Sequence, residues 1–363
     1  MHAQPTSSAL WTRSGALWRV LDRPLFETRV RELAHAMLEL EVEPEEVLAL
    51  EHATTSEALT FAVAGLEAGL TVRLGLAQPP LRAALVATPV RAAALAREAG
   101  IDQVAIPSAT TADGGRSLER LAAHGVLQAA LHPDALAERT ARRRDDQIAV
   151  VGGDGTAFTL AELHAGMHAL QQVEDLLRPD EPVLIAVALD QPWVLAFALA
   201  ALAIGAPVAV GALDDAPMIR PGVIVASCAD VAELPEHGAS APRRLAGLAR
   251  RLGRNRSAPP ARCLIVADGF VDAELCAQLH LSGTTVLHAV ADPRLIAPAA
   301  LNQPHRHRLD AYGLPLPGHA ALIDDDRLVV RGPAGTPTGP LGTETSIGAA
   351  VDVDGFVVPA HDC

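Results

Sequence analysis

Lysine is missing altogether: the 29 basic residues of this 363-residue chain are all arginine. An amine nucleophile, a Schiff base with a carbonyl substrate and a phosphate-binding lysine are therefore closed to the chain acting alone. Aromatic residues are scarce too, at 3%, although half of the chain is hydrophobic. A core of ordinary size must then be built from Ala, Leu and Val. The four cysteines, Cys228, Cys263, Cys276 and Cys363, are scattered and form no Cys-x-x-Cys pair. No zinc or other metal site is expected, and the thiols suit a reduced, cytoplasmic protein. The N-terminus, MHAQPTSSALWTRSGALW, lacks a basic region followed by an apolar one, so no signal peptide is expected. No uninterrupted apolar run of about 18 residues reads as a membrane span. The longest apolar stretch, Pro192 to Val210, is broken by Gly205-Ala206-Pro207 and reads as a buried helix plus a strand.

Excess positive charge is also absent. The net charge of −14 argues against nucleic acid as a partner. The run Arg142-Arg143-Arg144 is followed at once by Asp145-Asp146 and reads as a solvated linker. A second arginine cluster, 243–256, reads as a solvated face, with docking of an acidic partner as the alternative. His305-Arg306-His307-Arg308 reads as a solvated basic turn.

What the chain does contain is an internal repeat. VLALEHATTSEALTFAVAGLEAGLTVRLG (47–75) aligns without a gap with VLIAVALDQPWVLAFALAALAIGAPVAVG (183–211), including Phe61/Phe197, Gly69/Gly205 and Gly75/Gly211. Each copy reads strand, turn, helix, Gly, strand. Thr54 with Glu57 predicts a capping box for the first helix, and Pro192 fits the first turn of the second. Strands alternating with helices imply an α/β fold with mostly parallel sheets. Two tandem units imply two similar subdomains packed face to face, 1–145 and 146–310. From 311 to 363 the pattern changes to turns and short strands, with a hairpin expected across Asp324-Asp325-Asp326. This predicts a small β-rich subdomain. Flexible stretches are expected at 108–117, 238–242 and 253–260.

The residues 148–166, IAVVGGDGTAFTLAELHAG, run from an apolar segment through a Gly-rich turn into a helix. The plain reading is two strands around a Gly-Asp-Gly turn, with Thr159 and Glu162 as a capping box. Residual anion binding by the Gly152–Thr156 backbone is the alternative.

Taken in order, these segments resemble the large N-terminal part of the adenylate-forming enzymes, the family of acyl-CoA synthetases and peptide-synthetase adenylation domains. The stretch 25–69 is similar to the family's opening segment, and 148–166 falls where the family keeps its phosphate loop. LIVADGFVDAELCAQLHLSGTTVLHAVADP falls on the segment that ends in Tyr-Gly-x-Thr-Glu, and SIGAAVDVDGFVV on the β-rich Thr-Gly-Asp segment. The layout spans nearly the whole chain, but the motifs are eroded. The resemblance places Gly152, Gly153, Asp154, Gly155 and Thr156 on the phosphate loop, with an acidic residue where hydroxyl donors are expected. It places Arg294 near the metal-coordinating Glu, Val290 near the adenine-packing Tyr and Ala349 near the ribose-binding Asp. The sequence stops at Cys363, about where the family's hinge begins, so the mobile lid with its catalytic Lys is expected to be absent. No cofactor is expected to bind.

Candidates for residual chemistry follow from position. His52 ends a predicted strand in the first copy, and Asp190, Gln191 and Trp193 end the matching strand in the second. Such strand ends are the usual ligand crevice of α/β sheets. Gln191 and Trp193 would line an acyl pocket there; helix capping plus a core Trp is the other reading. His280 and His288 flank a predicted strand downstream of Cys276, and a Cys–His nucleophilic pair requires them to meet in space. Two functions are carried forward. In the first, the chain is a non-catalytic relative that works through an interface with a carrier protein, a related synthetase or a second copy of itself, in small-molecule biosynthesis. In the second, it is an enzyme that takes a pre-activated acyl or aminoacyl thioester and transfers, cyclises or hydrolyses it without ATP. Neither involves a membrane.

Overall fold

The computed structural model describes residues 8–14, 17–39, 47–50, 55–75, 85–87, 104–106, 116–236, 261–325, 327–333 and 342–360. It begins with an antiparallel pair, β1 (Ser8–Ser14) and β2 (Leu17–Asp22), and helix α1 (Arg23–Glu39). The first copy of the repeat forms β3 (Val47–Leu50), α2 (Ser56–Glu67) and β4 (Thr71–Leu74). Three short strands, β5 (Leu85–Ala87), β6 (Val104–Ile106) and β7 (Arg116–Ser117), lead to helices α3 (Leu118–Leu131) and α4 (Ala135–Ala141). Next come β8 (Ile148–Val151), β9 (Ala157–Thr159) and α5 (Leu160–Gln171). The second copy forms β10 (Val183–Ile185), α6 (Pro192–Ile204) and β11 (Val208–Val210). It is followed by α7 (Ala216–Ile219), β12 (Val223–Ala226), α8 (Cys228–Glu236), β13 (Cys263–Val266), α9 (Ala273–Leu281) and β14 (Thr285–Val290). Strands β15 (Ala300–Leu301) and β16 (Leu314–Pro315) precede β17 (Ala320–Asp324), β18 (Arg327–Arg331), β19 (Thr343–Val351) and β20 (Val357–Pro359).

These strands make three sheets among the described residues. The order is β7-β6-β5-β3-β4-β8-β9 in one, β16-β15-β14-β13-β12-β10-β11-β1-β2 in the second and β17-β18-β19-β20 in the third. The centres of the first two are parallel, and the small third sheet is antiparallel. The architecture is thus α/β with a β-rich end. Strands β10 to β13 read VLI, VAV, VIVA and CLIV, and all of their residues are buried. Continuous β-branched runs of this kind belong in parallel strands covered on both faces. Helix α6, PWVLAFALAALAI, is buried all the way round from Pro192 to Leu202, as a helix wedged between two layers must be. It shares one continuous core with α1, α2 and strands of both large sheets. No helix among the described residues is long and apolar enough to cross a membrane.

Both copies of the repeat take the expected strand-helix-strand form with parallel pairing, but their registers differ by one residue. Leu48 pairs with Val72, whereas Val208, the counterpart of Val72, pairs with Val183 rather than with Leu184. The first helix is capped one residue later than expected: Thr55, not Thr54, takes the Ala58 N–H, because the next residue is already helical. The Thr159–Glu162 capping box forms as read. The C-terminal hairpin forms between β17 and β18, with Asp325 at φ 46°. The sheets also exchange strands. β1 and β2 lie in the nine-stranded sheet with the second copy, while β8 and β9, beyond residue 146, close the edge of the seven-stranded one.

Two basic segments are less solvated than their charge suggests. Arg308 pairs with Asp310 and Asp352, Arg306 donates to the Asp354 carbonyl, and both guanidiniums lie 5.4 Å from the centroid of the Phe356 ring. The turn is a clamp on the β-rich end, held by ion pairs and cation–π contacts. Arg143 is half-buried, not a free linker residue. His52, Cys363, the cluster 243–256 and the stretches 108–115, 238–242 and 253–260 lie outside the described residues.

Candidate functional site

The Gly-rich turn closes the β8–β9 hairpin, and the donors of Gly152, Gly155 and Thr156 are spent within it. Gly152 N–H bonds to Thr156 O at 2.8 Å and Gly155 N–H to Gly152 O at 3.0 Å. The Asp154 carboxylate accepts from Thr156 N–H at 3.0 Å and Thr156 Oγ1 at 2.8 Å. Asp154 thus holds acceptor oxygen where an anion-binding loop would present free N–H groups. Gly155 takes φ 91°, which suits only glycine in so tight a turn. At Gly152 a side chain would come within 3.3 Å of Pro192 Cγ, so this turn sits against the start of α6.

A second segment lies within electrostatic reach of the turn. Arg294 forms a two-pronged pair with Asp292, at 2.9 and 3.0 Å, and Asp292 is fully buried. Asp292 also accepts from the Ser346 N–H and hydroxyl of β19 at 3.0 and 3.1 Å. Burial pushes the Asp292 carboxyl up, but hydrogen bonds from Arg294 and Ser346 outweigh it and hold it below the ordinary range. The bond to Asp292 raises Arg294 in turn, with smaller contributions from the charges of Asp154 and Glu344. Arg294 is legible in the sequence as a candidate position. Its partner Asp292 was missed there, although an Asp-x-Arg spacing within a turn is the signal for such a pair. Val290 and Ala349 are buried in one small apolar cluster with Leu295, Leu328 and Val357.

At the head of α6, Trp193 is buried and its indole N–H donates to Gln191 Oε1 at 2.7 Å. Gln191 and Asp190 are exposed. Cys276 and His288 are brought to the same peptide but do not bond to one another. His288 Nε2 accepts the Val271 N–H at 3.2 Å, and the Cys276 thiol donates to Val271 O at 3.6 Å. Burial lowers His288 to about 4 and, with Asp272, raises Cys276 to about 11. A neutral imidazole beside a protonated thiol is the reverse of an activated pair. His280 lies in the last turn of α9. Among the described residues, no group of three or more His, Cys, Asp or Glu is placed to hold a metal ion.

No family model matches the sequence, and no curated protein matches it. Solved structures do. The fold is that of the large N-terminal domain of the adenylate-forming enzymes. It matches the anthranilate CoA ligase AuaEII in complex with anthranoyl-AMP at TM-score 0.76 and 14% identity, over 97% of this chain and 74% of that one. The amide bond synthetase McbA from Marinactinospora thermotolerans matches at TM-score 0.73 and 20% identity, over 97% and 76%. VinN matches at TM-score 0.74 and 14% identity, over 98% of this chain and 95% of that one.

Proposed function

We propose that this chain is a degenerate adenylate-forming protein that does not adenylate, and that it acts by contact in small-molecule biosynthesis. The observation carrying this reading is the Asp292–Arg294 pair, with the Asp154 turn within electrostatic reach of it. Phosphoryl transfer from ATP relies on a metal that bridges the phosphates and on donors that cradle them. Here the position that would supply a metal-binding carboxylate holds a guanidinium. The neighbouring carboxylate, Asp292, is committed to Arg294 and Ser346. Asp154 would meet a triphosphate as a like charge. This donor set does not fit a magnesium triphosphate. Titration calorimetry with ATP and Mg²⁺ is expected to give a dissociation constant no tighter than about 1 mM, or about −4 kcal/mol. Micromolar affinity would overturn the reading.

The partner is a carrier protein, a related synthetase or a second copy of the chain. Exposed apolar side chains support a contact function: Leu127 and Leu131 lie one turn apart on α3, at 55% and 60% exposure. Strand β2 is a sheet edge with Leu17 and Val20 exposed, and such edges are open to pairing with another chain. Light scattering is expected to show self-association or a stable complex. A monomer at micromolar concentration that captures no pathway protein would remove the contact mechanism.

A further inference from the structure

Helix α3 carries two apolar faces. One is spent on α1: Leu121 and Ala122 are buried, and a Cβ on Gly125 would fall 1.6 Å from the Glu32 carbonyl oxygen, so the two helix backbones meet with room for glycine alone. The other faces solvent. Ala123, Val126, Leu127, Ala130 and Leu131 are all exposed. They stand at i, i+3, i+4, i+7 and i+8, the spacing of a stripe that packs against a neighbouring element. The solvent side of a helix normally carries charge. Residues 121–133, LAAHGVLQAALHP, contain no Asp, Glu, Lys or Arg, in a chain of which 20% is charged.

We propose that this stripe is the contact of a homodimer, in which α3 packs antiparallel on α3 of a second copy about a twofold axis at Leu127. The stripe runs from small to large, with Ala123 at one end, Leu127 in the middle and Leu131 at the other end. Antiparallel pairing sets Ala123 against the partner's Leu131, so that large side chains interdigitate with small ones. Parallel pairing would set Leu131 on Leu131 and leave a gap between two alanines. The ends complement one another in charge as well. Arg120 comes opposite the partner's Asp134, and symmetry repeats the match at the other end. Both residues are exposed, and the Asp134 side chain makes no cap hydrogen bond to its own helix. The dimer rests on the contact function proposed above and selects the second copy among its partners.

The test is light scattering of the full chain across a dilution series, in which the mass is expected to double with a dissociation constant of about 10 µM or tighter. Leu127 is 55% exposed, so Leu127→Asp keeps the fold and is expected to weaken association at least about tenfold. Leu281→Asp, at a site 87% exposed on α9, is expected to leave the dimer intact. With diamide as the oxidant, Leu127→Cys, which stands on the twofold, is expected to cross-link to itself beyond the level of the unchanged chain, and Ala123→Cys is not. A dimer that persists in Leu127→Asp, an equal loss in Leu281→Asp, or equal cross-linking of Ala123→Cys and Leu127→Cys overturns the proposal. A monomer that binds a pathway protein overturns the dimer and leaves the contact function standing; a monomer that binds none overturns both.

Discussion

The two strand-helix-strand units agree at one end of their helices and differ at the other. In the first, Gly69 N–H bonds to Leu66 O and Leu70 N–H to Gly65 O; in the second, Gly205 bonds to Leu202 and Ala206 to Ala201, position for position. Both glycines adopt positive φ, 78° and 94°. The starts are unlike. Thr55 caps α2 through its side chain, whereas Gln191 makes no side-chain cap and Pro192 occupies the first turn of α6. The strand pairing also differs by one residue, along its whole length. A helix stop set by one glycine is local and survives divergence. A helix start at the carboxyl end of a parallel strand borders the ligand crevice, and there the copies part. In the second copy that start meets the Gly152 turn.

The largest test of this equivalence is a pair of truncations. Phe61 and Phe197 occupy matching positions and are 0% and 1% exposed. Phe61→Ala and Phe197→Ala should each cost about 3–5 kcal/mol in denaturant unfolding. A difference above about 2 kcal/mol would mean that the two helices are alike in sequence but not in packing. Next comes Gly65, where the first helix lies close to its strand. A Cβ on Gly65 would lie 2.5 Å from Leu48 Cδ2, while the second copy has Ala201 there. Gly65→Ala should cost about 1–3 kcal/mol, and Ala201→Gly about 1 kcal/mol by loosening the helix. The shared stop is tested by Gly69→Ala and Gly205→Ala, each expected to cost about 1–2 kcal/mol from the left-handed backbone alone. The smallest effect tests the unlike starts. Thr55→Ala should lower stability by about 1 kcal/mol, and Gln191→Glu, which keeps an acceptor for the Trp193 indole, by no more than about 0.5 kcal/mol. An equal loss at both would erase the contrast.

Much of this was written locally. The repeat, the glycine stops, the Thr159–Glu162 box and the turn between β17 and β18 each depend on residues within a few positions of one another, so the sequence displays them. The cap at Thr55 was misplaced by one residue because Thr54 and Thr55 carry the same hydroxyl. The strand exchange was invisible, because nothing near Leu10 names Val208 as its partner. In the candidate site, the Asp154 turn and the reversal at Arg294 could be read directly. The Asp292–Ser346 bonds and the Phe356 clamp could not, since each joins segments far apart in the chain. The half-burial of Arg143 has the same origin, since a run of charge does not show what packs over it.

The strand exchange also sets a timetable. As the chain leaves the ribosome, β1 is made roughly 200 residues before its parallel partner β11, and contacts at such separation are slow to form. Until then β1 and β2 have only each other as strand partners, and a two-stranded ribbon depends on helix packing for its stability. The nine-stranded sheet therefore closes late, after the sequence of the seven-stranded sheet has been made. Holding or masking β1 and β2 during synthesis, by a bound partner or a chaperone, would delay completion of a sheet whose centre lies in the other half of the molecule.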